Sequence, residues 1–164
     1  MIMKKFLAFI VVALVAINLY GASEVTSGEC GDNLSWEYFD GVLTISGTGY
    51  MYNYNPGKAP WNDICRKIKS IVFDGEITSI GNEAFYDCLG LTSITIPNSV
   101  TEIGNSAFYF CSGLASIKVA SSNSYYDSRN NCNAIIERST NKLIAGCKNT
   151  IIPNSVTEIG DYAF

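Results

Sequence analysis

The sequence predicts a repeat solenoid: a parallel β-sheet wound in short coils, with helical or 3₁₀ turns at the corners and a β-hairpin segment capping its start. Three observations carry this. The nonapeptide IPNSVTEIG occurs twice without change, at 96–104 and 152–160. Shifting the chain by 23 residues pairs Ile71 with Ile94 and Ile117, Phe73 with Ile96 and Val119, Ile77 with Val100, and Ile80 with Ile103. The same shift pairs Gly81 with Gly104, Ala84 with Ala107, Phe85 with Phe108, Cys88 with Cys111 and Leu91 with Leu114. Every match is apolar or conformationally special, and the positions between drift among Thr, Ser, Asn, Asp and Glu. Units this short bury their apolar stripe only against their neighbours.

The first element is a leader. Lys4 and Lys5 precede an unbroken apolar run over residues 6–17, and Gly21-Ala22-Ser23 ends the stretch in small residues. That order is the pattern of a secretory signal peptide, and twelve apolar residues are too few for the ~20 needed to cross a bilayer. Residues 1–23 are therefore expected to be cleaved on export, with no membrane insertion afterwards. Without Lys4 and Lys5, nine basic residues face fifteen acidic ones, a net charge of −6. Such a surface repels phosphate backbones, so nucleic acid is not an expected partner.

Residues 24–67 form the expected cap. Leu34, Trp36 and Tyr38 alternate, Asp40-Gly41 is a tight-turn pair, and Leu43 and Ile45 alternate again, so residues 34–46 read as a hairpin. Tyr50, Tyr52 and Tyr54 follow at period two and are expected to cover the first coil, with an aromatic patch that contacts a sugar or protein as the alternative. Residues 59–68 can form a short helix with Pro60 in its first turn.

From residue 68 to 164 the repeats run on. Ile94 and Ile96 point to one face of a short strand, and Pro97, which has no N–H, ends it. Val100 and Ile103 line a second side, Gly104 turns the chain, and Asn105-Ser106-Ala107-Phe108 starts a single helical turn whose Ala107, Phe108 and Cys111 share a face. Phe85 should lie over Phe108. Each coil would bury several large side chains at ~1.5–3 kcal/mol apiece. Between Val119 and Ile152 the interval grows to 33 residues, so residues 120–150 are expected to be an irregular coil, with a hairpin of 133–138 and 142–146 around Ser139-Thr140-Asn141. Phe164 corresponds to Phe108, so the last repeat is expected to be truncated.

Six cysteines leave their connectivity open. Cys88 and Cys111 recur at the repeat interval and read as small buried residues, with a bond between adjacent coils as the alternative. Cys132 and Cys147 flank the predicted hairpin and could form a cross-strand disulfide, and Cys30 and Cys65 are a candidate pair within the cap. The chain holds no CxxC and no histidine, so no metal site is expected, and neither Ser-His-Asp nor Cys-His catalysis can be built. Gly47-Thr48-Gly49 lacks the spacing of a nucleotide fingerprint, so no cofactor is expected. Glu76, Glu83, Glu102, Glu137 and Glu158 mostly occupy outward repeat positions rather than a converging pair. No enzymatic activity is expected.

The order IG-x-x-AF-x-x-C-x-x-L-x-x-I-x-I-P, read from Gly81 and again from Gly104, resembles the 23-residue leucine-rich repeats of the BspA-like surface proteins. The segments CGDNLSW from Cys30 and LTISGTG from Leu43, with Pro60-Trp61, resemble the part of those proteins that precedes the repeats. The resemblance implies an exported or cell-surface protein that adheres to host matrix protein, glycan or other cells. Independently of it, the outward strand positions Ser70, Val72, Ser93, Thr95, Ser116 and Lys118 would form a shallow, mostly polar face suited to extended contacts. The competing expectation is a structural spacer that holds another domain away from the cell.

Overall fold

The computed structural model describes residues 26–164; the predicted leader lies outside them. The chain opens with three antiparallel strands, β1 (Thr26–Gly31), β2 (Leu34–Phe39) and β3 (Val42–Tyr50). The predicted hairpin is β2 and β3, with Trp36 opposite Ile45 and Tyr38 opposite Leu43. Asp40 and Gly41 both take positive φ, 45° and 84°, as a two-residue hairpin turn matched to strand twist requires. β1 has no apolar alternation to announce it. It is ordered by pairing, and Gly28 opposite Trp36 leaves room for the indole, whose Nε1 would lie 2.9 Å from any Cβ placed there.

β3 is also the first parallel rung. β4 (Ser70–Ile80) pairs along its length, followed by β5 (Ser93–Ile96); β6 (Glu102–Ile103) pairs with the far end of β4, and β7 (Ser116–Val119) with β5. The sheet order is β1-β2-β3-β4-β5-β7. The repeat interval is the pairing register: Ser70 meets Ser93, Ile94 meets Ile117, Ile96 meets Val119 and Ile80 meets Ile103. β4 runs through its corner because Asp74-Gly75 stands there, with Gly75 at φ 127° above Gly47 at φ 119°. One coil later Pro97 occupies that corner, and the strand breaks into β5 and β6.

The turn side of each coil is stitched to the next. Its i→i+3 hydrogen bonds, such as Tyr86 N–H to Glu83 O and Tyr109 N–H to Ser106 O, give tight turns, with Glu83, Asp87, Ser106 and Phe110 in the left-handed region. Those left-handed residues stop a helix from propagating and turn alternate amides outward. Glu83, Phe85 and Asp87 donate their N–H groups to the carbonyls of Asn105, Ala107 and Tyr109, forming a ladder between coils. Phe85 stacks on Phe108 with centroids 5.5 Å apart, as predicted, and Trp61 stacks on Phe85 at the same distance. Trp61 precedes a 3₁₀ helix (Asn62–Lys67) where the short helix was expected, and its Nε1 donates to Ala84 O at 2.7 Å.

The cysteines correct two of the expected pairings. Cys65 is bonded to Cys88, not to Cys30, so Cys88 is not the unbonded core residue expected but forms the bond between adjacent coils that was the alternative, while Cys111 stays free. The reason is register: Cys65 lies 23 residues before Cys88 and so occupies the repeat's own cysteine position, directly above it. Cys111 continues the column, and its thiol donates to Phe85 O. Cys132 and Cys147 flank the hairpin as expected but are unbonded. A register shift sets Ala145 opposite Ile135, so Cys147 falls opposite Asn133. Cys132 packs with Ala134, Ile136 and Leu143, while Cys147 packs with Ile135 and Ala145 in the main core. Thiol titration under denaturing, non-reducing conditions should count four free thiols, and reducing the Cys65–Cys88 bond should cost about 2–4 kcal/mol. A count of two, with peptide mapping that joins Cys132 to Cys147, would restore that link.

The irregular coil replaces repeat residues one by one. Asn123 stands where Ile77 and Val100 stand in other coils, and it is buried. Its Nδ2 donates to Pro97 O and Val100 O, and its Oδ1 accepts from the Tyr125 and Tyr126 amides, so all its capacity is used. β8 (Tyr126–Asp127) then places Asp127 at the glycine corner, where it pairs with Arg129 at 2.8 Å and Arg138 at 3.2 Å. Burial alone would raise its carboxyl, but the Arg129 hydrogen bonds and both guanidinium charges outweigh that and hold it below the usual range. A 3₁₀ turn (Arg129–Asn131) leads into the predicted hairpin, β9 (Ile135–Glu137) and β10 (Lys142–Ala145). The second nonapeptide ends in β11 (Glu158–Ile159), parallel to β10.

Candidate functional site

The candidate residues Ser70, Val72, Ser93, Thr95, Ser116 and Lys118 lie on three successive parallel strands, and alternation turns them away from Ile71, Ile94, Ile96 and Ile117, which are buried. Pairing arranges them in rows. Ser70, Ser93 and Ser116 form one, and Thr95 stands beside Lys118 in the other. Val72, Ser93, Thr95 and Lys118 are exposed, Ser70 and Ser116 half-buried.

The rows run further than the sequence suggested. β3 pairs with β4 at an offset of 28 residues, which sets Val42 beside Ser70 and Thr44 beside Val72. Across the hairpin Phe39 opposes Val42 and Glu37 opposes Thr44, and Ser27 on β1 opposes Glu37. One row therefore reads Ser27, Glu37, Thr44, Val72, Thr95, Lys118 across six strands, with Glu37 and Lys118 as opposite charges toward its ends. Phe39 is 54% exposed and Val72 46%, two apolar contacts in a field of hydroxyls. The alternation Leu34, Trp36, Tyr38 already implied outward Glu37 and Phe39. What hid them was the change of offset from 23 to 28, which no repeat search would align.

Beyond the face, the chemistry is quiet. Burial pushes the Cys30 and Cys111 thiols up to about 12, so both stay protonated at neutral pH and act as core residues. Of the tyrosine strip, Tyr54 packs edge-on to Trp61 and helps cover the first coil. Tyr52 instead donates its hydroxyl to Asp32 from an exposed position, and Tyr50 is exposed. Among the described residues no three acidic or thiol side chains converge as metal ligands.

A family profile described as the BspA type leucine rich repeat region matches residues 62–164 in six copies. The chain belongs to that family. The BspA-type match begins within the 3₁₀ helix that carries Cys65, in keeping with Cys65 occupying the repeat's cysteine position. No curated protein matches the chain. A solved leucine-rich repeat protein from Eubacterium ventriosum is 21% identical, with 88% of this chain and 57% of that one covered and a TM-score of 0.42. The pneumococcal vaccine antigen PcpA is 13% identical, covering 87% and 62%, with a TM-score of 0.30. The chain spans less than two thirds of either solved structure. BspA-type repeats build a solenoid, a fold that serves typically as a binding or scaffold module.

Proposed function

We propose that the protein is an exported, surface-displayed adhesion module, without enzymatic activity, whose outward sheet face binds a host matrix protein, a glycan or another cell's surface. The observation that carries this is the continuous six-strand face, in which exposed Phe39 and Val72 stand among rows of Ser and Thr hydroxyls. A flat surface of that kind offers hydrogen bonds and small apolar contacts over a long path rather than an enclosed pocket. The leader-like N-terminus and the net charge of −6 after its removal agree with an extracellular setting. The competing reading, a spacer that merely sets another domain at a distance, requires nothing of this face.

The test is Thr95→Arg with Lys118→Glu. These residues are cross-strand neighbours, so the new pair keeps a favourable contact and the fold should hold. Binding of the mature protein to immobilised fibronectin, collagen and a glycan array should fall at least tenfold for whichever surface the native protein recognises. Undiminished binding by the double variant would remove this face, and no binding by the native protein to any of them would leave the spacer.

A further inference from the structure

A cleft of about 400 Å³ opens between the second coil and the last one. One wall is the turn Gly104 to Phe108, the other Gly160, Asp161 and Tyr162, and β10 with Ile144 and Ala145 forms the base. Tyr162, on that second wall, packs against Tyr109 with ring centroids 4.8 Å apart. The cleft exists because the irregular coil turns aside into its hairpin, where a regular coil would lay down another Ala-Phe turn. The size is that of a ligand cleft, typically about 300–1,000 Å³.

The wall it exposes has a known partner one coil earlier. There, the Glu83 and Phe85 amides donate to Asn105 O and Ala107 O, carbonyls two residues apart on an Asn-Ser-Ala segment. Ser106 and Phe108 are the equivalents of Glu83 and Phe85 in the second coil. Among the described residues, their amides donate to nothing. Both line the cleft, and the ladder from the first coil to the second sets their N–H groups toward it. Unpaired amides along an apolar edge are a template for adding another strand-like segment.

We propose that this cleft is a peptide-binding site, in which Ser106 and Phe108 donate their amides to two alternate carbonyls of a bound extended peptide. The occupant is a segment with a small residue followed by an aromatic one, so that its ring extends the Trp61, Phe85, Phe108 column, as Phe108 does for Phe85. Glu137 and Asp161 line the cleft, and the Lys142 ammonium is paired with Glu158, so the site favours a neutral or basic segment over an acidic one. The site is separate from the sheet face.

The probe is the capped peptide Gly-Asn-Ser-Ala-Phe, the sequence of residues 104–108. Titrated into the native protein, it should slow amide exchange at Ser106 and Phe108 at least tenfold while leaving the sheet strands unchanged. Ile144→Trp, which fills the cleft from its base, should abolish that protection, and Thr95→Arg with Lys118→Glu should retain it. Absence of protection at saturating peptide, or protection that survives Ile144→Trp in a folded variant, overturns the proposal. So does protection of Ser106 and Phe108 that rises with protein concentration alone, which would assign the cleft to a second copy of the chain.

Discussion

Replacing Ile96 by alanine should cost about 2–5 kcal/mol, whereas the same replacement at Ile152 should cost under about 1 kcal/mol. The two residues begin identical nonapeptides, so intrinsic propensity and local sequence cancel in the comparison. Further along the nonapeptides the backbone pairing to the preceding coil also coincides. Thr101 and Thr157 donate their amides to Thr78 O and Asn141 O, and Gly104 and Gly160 donate to Ile80 O and Leu143 O. What differs is the following coil. Ile96 is fully buried, paired with Val119, and its carbonyl accepts from Ala120 N–H. Ile152 is 46% exposed, and no described residue supplies Pro153 O or Val156 O with the hydrogen bonds that Asn123 gives Pro97 O and Val100 O. A methyl-rich side chain deleted from a filled site leaves a cavity, and one deleted from a half-open site leaves solvent. Urea denaturation of both variants gives the difference, and equal shifts in midpoint would show that the last coil is covered in solution.

Much of this fold was legible because a solenoid writes its contacts into its period. The 23-residue shift that pairs Ile94 with Ile117 in the sequence pairs them in the sheet, and it brings Phe85 over Phe108. The parts that escaped are those where a different residue does the same job. Trp61 takes the phenylalanine position one residue out of step, and Cys65 takes the cysteine position in a segment read as cap. Asn123 replaces a buried valine with a fully bonded amide, which no hydrophobic pattern reveals. The outward face was half visible: the repeat strands announced Thr95 and Lys118, but Phe39, Val42 and Thr44 joined the same rows only through the parallel pairing of β3 with β4. The cleft was half legible: the longer interval marked the irregular coil at 120–150 as a departure from the repeat, but not that its missing turn would open a cleft against Ser106 and Phe108.

Trp61→Ala should cost about 3–5 kcal/mol, and Trp61→Phe only about 1–2. The indole is fully buried at the junction between cap and solenoid. It stacks on Phe85, receives the edges of Trp36 and Tyr54 at 5.9 Å each, and donates to Ala84 O. Alanine removes all four contacts and opens a cavity between the hairpin and the first coil. Phenylalanine keeps the stack but leaves Ala84 O without its donor, so the difference between the variants separates packing from hydrogen bonding. Because β3 already pairs with β4 over nine residue positions, the cap should stay attached and unfold with the coils in one transition. A Trp61→Ala protein that loses less than about 1 kcal/mol would mean that the aromatic column contributes little to joining cap and repeats, whereas one that unfolds in two steps would mean that strand pairing alone does not couple them.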